Sequence, residues 1–477
     1  MRLRHIPAFI LAAVTAIGCG SSENVYSWDE DLNMRLAYDF CESRDEVKDY
    51  IMRYIPDVSD EQIDAWTASG KLESMDIDGQ TMYFANAGAN LFRIDPECNA
   101  IKNAGSSASV LPDFESEVII RNIVDVIHDA DTSGHAVCQP KRMKVKYSIT
   151  VEADAVPAGE TIRCWLPFPR KDVSRQTEVE FLGANTDNFI FSDPDCVHST
   201  LYMEKTAVAG EPTVFEEEFS FVSSGEWYRL SAETVKPYDT TTEFYKEYTS
   251  EQAPHIVFTE QMRALSARLT EGLDNPYDKA MAIFTWIHDN FPWASAREYS
   301  TIPCIPQYVL DNGHGDCGQV TLLFMTLCRI AGIPAHWQSG FSMTPGEDNL
   351  HDWSEIWFEG YGWVPMDMSR GLVDYAAVRT IPLTTEEGRV APSEYRPDYA
   401  FTTEEEAAIN DDVLRFHLGG IDSYRMIVNS GFGGVLSPAK KYPRSETVDF
   451  QRGEVEWDGG NLYFSQWRRK MTITYSE

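Results

Sequence analysis

Gly315-Asp316-Cys317-Gly318 leads into an apolar run, Gln319-Val320-Thr321-Leu322-Leu323-Phe324-Met325-Thr326-Leu327-Cys328-Arg329-Ile330, which Gly332 and Pro334 close. The run reads as a buried helix with Cys317 at its N-terminus. Free backbone N–H groups and the positive end of the helix dipole favour thiolate over thiol at that position. Glycines at 313, 315 and 318 let the chain turn sharply there and leave room for a substrate carbonyl. Cys328 lies on nearly the same helix face in mid-helix and reads as a small core residue.

Downstream come His351-Asp352-Trp353 and Trp363-Val364-Pro365-Met366-Asp367, so a cysteine, a histidine and an aspartate follow one another in the order of a thiol-nucleophile triad. His351 to Phe358 reads as one strand and Trp363 to Met368 as its partner, with Glu359-Gly360-Tyr361-Gly362 between them. A three-residue loop, Glu359 to Tyr361, would pair Phe358 with Gly362 and Trp353 with Asp367. His351 and Asp367 would then be diagonal neighbours on one face, about 7–8 Å apart along the backbone. A two-residue loop would put them on opposite faces. Catalysis therefore demands an odd loop or a bulge, and Gly360 and Gly362 make either feasible.

Gly315-x-Cys317, the helix end Arg329-Ile330-Ala331-Gly332-Ile333-Pro334-Ala335-His336, His351-x-Trp353 and Trp363-Val364-Pro365-Met366-Asp367 together resemble the transglutaminase-like superfamily over roughly residues 275–370. The resemblance implies an α+β fold with a papain-like core: a helix bearing Cys317 packed on an antiparallel sheet bearing His351 and Asp367. It implies Cys317 as nucleophile, His351 as base and Asp367 as orienting acid in a cysteine-dependent amide hydrolase or acyltransferase. His336 departs from the family, which has arginine there, and loses a permanent charge and a planar hydrogen-bonding fork. His314, Cys317, His336 and His351 also offer a zinc-ligand reading, since His-x-x-Cys is a ligand spacing. The resemblance accounts for Cys317 and His351 without metal, and neither metal nor organic cofactor is expected. For the oxyanion hole, the Cys317 N–H is one expected donor. Trp293 and Tyr299 are candidates for the second, although each reads first as a packing aromatic; Trp293, Trp337, Trp353, Trp357 and Trp363 could wall a cleft, although most of them read first as core packing.

Working outward, residues 250–385 are read as the catalytic core, with Asn275-Pro276 opening a helix whose buried stripe is Ala280, Ile283, Phe284 and Ile287. Period-two alternation over Val145 to Val151, and again over Thr161 to Leu166, places a β-sandwich-like domain at 141–240. Its acidic run Glu216-Glu217-Glu218 reads as a solvated edge. Residues 28–136 read as a mixed, helix-rich N-terminal region without a catalytic constellation. It contains a capping box at Ser59 to Gln62 and an Asp78-Gly79 hairpin turn. Residues 386–477 read as a β-rich C-terminal extension that adds a layer.

A chain of 477 residues exceeds a single core. Its formal charge of −35 argues against nucleic acid and anionic lipid as partners. The basic Met1 to His5, an apolar stretch at 7–17 shorter than the ~20 residues of a membrane span, and Ala16-Ile17-Gly18-Cys19 resemble a lipoprotein signal over residues 1–18, with 19–27 as tether. Cys19 is then the lipidation site, and each buried acyl methylene contributes about 0.8 kcal/mol to membrane binding. Of the nine cysteines, seven remain besides Cys19 and Cys317. They are scattered and show no C-x-x-C pair, so one or two disulfides are possible and none is specified. The reading is of a bacterial cell-envelope enzyme, lipid-anchored at Cys19, with a peptide or protein substrate and hydrolysis favoured. A true transglutaminase and a non-catalytic surface-binding lipoprotein are the alternatives.

Overall fold

The computed structural model describes residues 27–104, 114–346, 348–372 and 411–476. The N-terminal region comprises α1 (Trp28–Asp39), α2 (Arg44–Ile51), α3 (Asp60–Ala68), β1 (Ser74–Ile77), β2 (Gln80–Tyr83), α4 (Ala87–Ile94) and α5 (Pro96–Asn103). Helix α3 opens on the Ser59/Gln62 capping box. The β1–β2 hairpin pairs Ile77 with Gln80, and both turn residues, Asp78 and Gly79, have positive φ, as a two-residue type I′ turn requires. Phe40, Ile51, Ile63, Leu72, Leu91 and Phe92 form this region's own core.

After α6 (Phe114–Ser133), strands β3 (Val137–Val151), β4 (Thr161–Pro167), β5 (Gln176–Ala184), β6 (Phe189–Phe191), β7 (Thr200–Thr206) and β8 (Thr213–Trp227) supply most of two facing sheets. Then follow α7 (Glu243–Tyr248), α8 (Glu260–Leu269), α9 (Pro276–Asn290), a 3₁₀ turn at Tyr299–Thr301, α10 (Ile305–Asn312) and α11 (Cys317–Ile330). The last strands are β9 (Ala335–Ser342), β10 (Asn349–Phe358), β11 (Gly362–Met366), β12 (Gly420–Ile421), β13 (Arg425–Ser430), β14 (Glu454–Trp457), β15 (Gly460–Leu462) and β16 (Trp467–Ser476).

One sandwich sheet runs β12-β8-β3-β16 with β5 on β8, and the other runs β15-β14-β4-β7-β6. Met143, Trp165, Leu201, Phe219 and Trp467 meet between them. The core sheet runs β11-β10-β9-β13 and is antiparallel throughout. Helix α11 packs on it through Leu322, Leu323, Phe324 and Leu327, against Trp337, Ile356, Phe358 and Val364. Among the described residues of the C-terminal extension, the strands do not stack as a separate layer. They fill open edges instead: β13 pairs β9, β14 pairs β4, and β16 pairs β3 over ten residues.

The acidic run of β8 is not an edge. Strand β8 lies between β3 and β5, and the lysines alternating along β3 neutralise two of the run's three carboxylates. Lys146 binds Glu216 at 2.8 Å, and Lys144 binds Glu218. Glu217 points inward, is fully buried, and among the described residues has no hydrogen-bond partner for either oxygen. Burial pushes its carboxyl well above the ordinary glutamate range. A carboxyl whose folded pKa exceeds its unfolded one favours the fold at low pH, and that contribution disappears as pH rises. In thermal melts, Glu217→Gln should match the wild type near pH 4 and exceed it near pH 8. Each kcal/mol of relief should raise Tm by roughly 2–4 °C. Coincident melts at both pH values would contradict this account.

Candidate active site

Asp316 caps α11: its carboxylate accepts from the Gln319 N–H at 3.1 Å, and the Gln319 side chain accepts from the Asp316 N–H at 3.2 Å. This box makes Cys317 the first helical residue. A Cβ on Gly318 would strike both the Tyr299 hydroxyl and the Asp352 carboxylate, so the glycine lets these groups close on the helix start. Cys317 lies in a cavity of about 260 Å³ that Trp293, Tyr299, Asp352, Asp449, Gln451 and Arg452 also line.

Two distant parts of the chain build the walls of this cleft. The N-terminal region, which shows no catalytic pattern in sequence, holds the loop bearing Trp293 and Tyr299. Asn90 Nδ2 donates to the Ser295 carbonyl at 2.9 Å and Asn90 Oδ1 accepts from the Ser295 N–H at 2.9 Å. Arg93 stacks on Trp293, 4.9 Å from the ring centroid. From the C-terminal side, Arg452 binds Glu298 at 3.0 and 2.7 Å.

The cleft is acidic around the thiol. Cys317 Sγ donates to Asp352 Oδ2 at 3.5 Å, and Asp352 Oδ1 accepts from Gln451 Nε2 at 2.7 Å. The Tyr299 hydroxyl donates to Asp316 at 2.6 Å and reaches Asp352 at 3.4 Å. Burial raises Asp352 to about 7 and Asp316 to about 6, and Asp449, hydrogen-bonded to Asp352, is raised well above the carboxylate range. Burial, and then Asp352 and Asp316, push Cys317 well above the ordinary thiol value. The helix terminus favours a thiolate, whereas desolvation and the two carboxylates favour the thiol.

The β10–β11 hairpin has the three-residue loop: Phe358 pairs with Gly362, Trp357 with Trp363 and Ser354 with Met366. Positive φ values at Gly360 and Gly362 allow the turn. His351 Nε2 lies 2.7 Å from Asp367 Oδ2. Asp367 Oδ1 accepts from the Ser369 hydroxyl at 3.2 Å and the Arg370 N–H at 3.3 Å. Despite burial, His351 and Arg425 hold Asp367 well below the usual carboxylate range; burial lowers His351. A neutral imidazole donating from Nε2 leaves Nδ1 with its lone pair free for a proton. The structure thus joins His351 to Asp367. Cys317 meets the same strand at Asp352, and no hydrogen bond joins it to His351 among the described residues.

The remaining candidates separate clearly. Trp293 lines the cleft and is 48% exposed, whereas Trp337 and Trp353 are fully buried. Trp357 and Trp363 pack on each other and on Phe244. His336 contacts Glu355 at 3.2 Å and stacks near Trp363, away from the thiol. His314 is buried beside Tyr308. Among the described residues no group of three or more His, Cys, Asp or Glu side chains converges as a metal site. The eight described cysteines are free thiols, and Cys19 lies outside the described residues. Sequence reasoning missed Asp352, which sits inside a quoted motif, and Arg425, which donates to Asp367 Oδ2 at 2.8 Å from β13.

The profile of the transglutaminase-like superfamily matches residues 263–368. The uncharacterized protein YebA of Bacillus subtilis (strain 168) is 29% identical over 138 residues, 24% of this chain and 18% of YebA's length. A candidate cysteine protease of Cytophaga hutchinsonii aligns in structure with a TM-score of 0.40 and 14% identity over 50% of this chain and 80% of its own. The periplasmic domain of TgpA from Pseudomonas aeruginosa gives 0.25 and 14% over 52% and 91%. Residues 263–368 thus carry the core of the transglutaminase-like superfamily.

The acidic neighbourhood makes a signed prediction. Removing the Asp352 charge lowers the thiol's pKa, and each unit is tenfold in thiolate below that pKa. Asp352→Asn should therefore alkylate with iodoacetamide roughly tenfold faster at Cys317 at pH 8, followed by peptide mass spectrometry. An unchanged or slower rate would mean that Asp352 does not restrain the thiol.

Proposed function

We propose that the protein is an envelope-anchored cysteine enzyme that cleaves peptide or protein amides through a thioester on Cys317, with His351 as base and Asp367 as its orienting acid. The observation that carries this reading is the 2.7 Å bond from His351 Nε2 to Asp367, beside a helix that starts with Cys317 in an open cleft. Before attack, the thiol leaves Asp352 and meets Nδ1 of His351. Sγ then bonds to the amide carbon while Nδ1 takes the thiol proton, and the carbonyl electron pair moves onto oxygen. The Cys317 N–H, which has no intrahelical acceptor at the helix start, is placed to receive that oxyanion. Collapse breaks the C–N bond, and the amine leaves with the proton from His351. Water adds to the thioester through the same base, releasing a carboxylic acid and restoring the thiol. In the expected second-donor role, Tyr299 is disfavoured because its hydroxyl is already given to Asp316.

Anchoring at Cys19 rests on the N-terminal sequence. Among the described residues no helix is long and apolar enough to cross a membrane. The decisive assay incubates the protein with a diverse peptide library, with and without a primary amine. Cleaved peptides support hydrolysis and amine-tagged glutamines support transfer. Neither product supports a binding lipoprotein. Cys317→Ala should abolish turnover without moving Tm appreciably, and His351→Ala should be nearly as severe. Asp367→Asn should retain more activity yet lose up to about 10⁴-fold, as in other triads. It should also lower stability, because it weakens a buried partner of Arg425. Equal turnover by wild type and Cys317→Ala would sink the mechanism.

A further inference from the structure

We propose that Arg425, carried by β13 beyond the residues that match the superfamily profile, is a positioning residue of the triad that holds the Asp367 carboxylate in line with His351 Nε2. This inference rests on the triad reading above and assigns control of it to a different part of the chain. Arg425 is fully buried, and its Nη2 donates at 2.8 Å to Asp367 Oδ2, the oxygen that also accepts from His351 at 2.7 Å. Its Nε donates to Asp422 at 2.7 Å. The guanidinium lies over the Trp353 indole, 5.3 Å from the ring centroid, and the Trp353 N–H is fixed by Gln338 at 2.7 Å. The tryptophan of the His-x-Trp motif therefore supports the arginine that supports the acid. A planar fork spans two carboxylates and a ring face at once, which an ammonium does not.

The charges around the pair explain why this matters for proton transfer. His351 faces Asp367, Arg425 and Arg370; Asp367 also faces His417, and Asp422 Oδ2 lies 2.6 Å from the same Arg425 Nη2 that donates to Asp367. Beyond Trp353, Arg175 lies 3.9 Å from Glu226. On the cleft side, Asp352, Asp316 and Asp449 surround Cys317 or its partner. With His351 neutral, Asp367, Asp422, Arg425 and Arg370 balance, two negative charges against two positive. When the imidazole takes the thiol proton, the cluster carries one positive charge. Without Arg425 the resting cluster would carry one net negative charge and would draw a proton onto His351 more strongly before any substrate arrived.

The test follows His351 in the full chain by histidine ¹³Cε1 NMR, assigned with His351→Asn. In Arg425→Gln its titration midpoint should rise by about one pH unit, a tenfold change in proton affinity. Arg425→Lys, which keeps the charge, should restore most of that midpoint. Asp422→Asn removes a competing carboxylate and should move it downward. A folded Arg425→Gln with an unmoved midpoint would overturn the proposal and leave Arg425 a structural residue. If Arg425→Gln does not fold, Asp422→Asn decides, and no downward shift there would also overturn it. Iodoacetamide labelling of wild-type Cys317, measured alongside, separates the two readings. Labelling slower than an ordinary protein thiol even in Asp352→Asn would count against the nucleophile without touching the NMR result.

Discussion

The site depends on the register of a single antiparallel hairpin. In a strand, side chains alternate faces, so the pairing of β10 with β11 alone decides whether His351 and Asp367 can meet. Three loop residues pair Phe358 with Gly362 and put both side chains on one face. A loop one residue shorter would place the acid on the other side of the sheet. Packing pins the register: Ile356, Phe358, Val364 and Met366 must all face α11 and its core. A slip would expose these four side chains, at a cost of about 1.5–3 kcal/mol for each large one lost from the core.

That alternation also accounts for the electrostatics of the cleft. Successive residues of β10 point opposite ways, so Asp352 reaches the α11 side and Cys317, while His351 reaches the side of Asp367 and Arg425. The thiol thus rests against carboxylates, and the imidazole rests in an ion-paired network with an arginine. Substrate entry that displaces the Asp352 contact would remove one of the carboxylates that disfavour the thiolate.

Much of the core was legible because its signals are local. The Cys317 helix, its Gly332 stop and the Asn275-Pro276 start each follow from residues within one or two turns. The hairpin was legible only as a choice, since Gly360 and Gly362 tolerate either loop and tertiary packing selects between them. Arg425 was illegible for a different reason. It arrives at Asp367 through the pairing of β13 with β9, a long-range partnership that no local pattern encodes. Glu217 was misread because the lysines that neutralise its neighbours lie on β3, and an acidic triplet viewed alone looks solvent-facing. Asn90 and Asp352 likewise acquire meaning only when the Ser295 loop and the helix start are brought against them.

The central claim is that Cys317 becomes acylated. The most direct measurement mixes the protein with a peptide thioester, quenches in acid, and examines the Cys317 peptide by mass spectrometry. The account predicts an acyl adduct on Cys317 that decays on dilution into neutral buffer and is absent from Cys317→Ala. It also predicts that the adduct forms far more slowly in His351→Ala. Acylation of other cysteines at the same rate, with Cys317 unmodified, would contradict it.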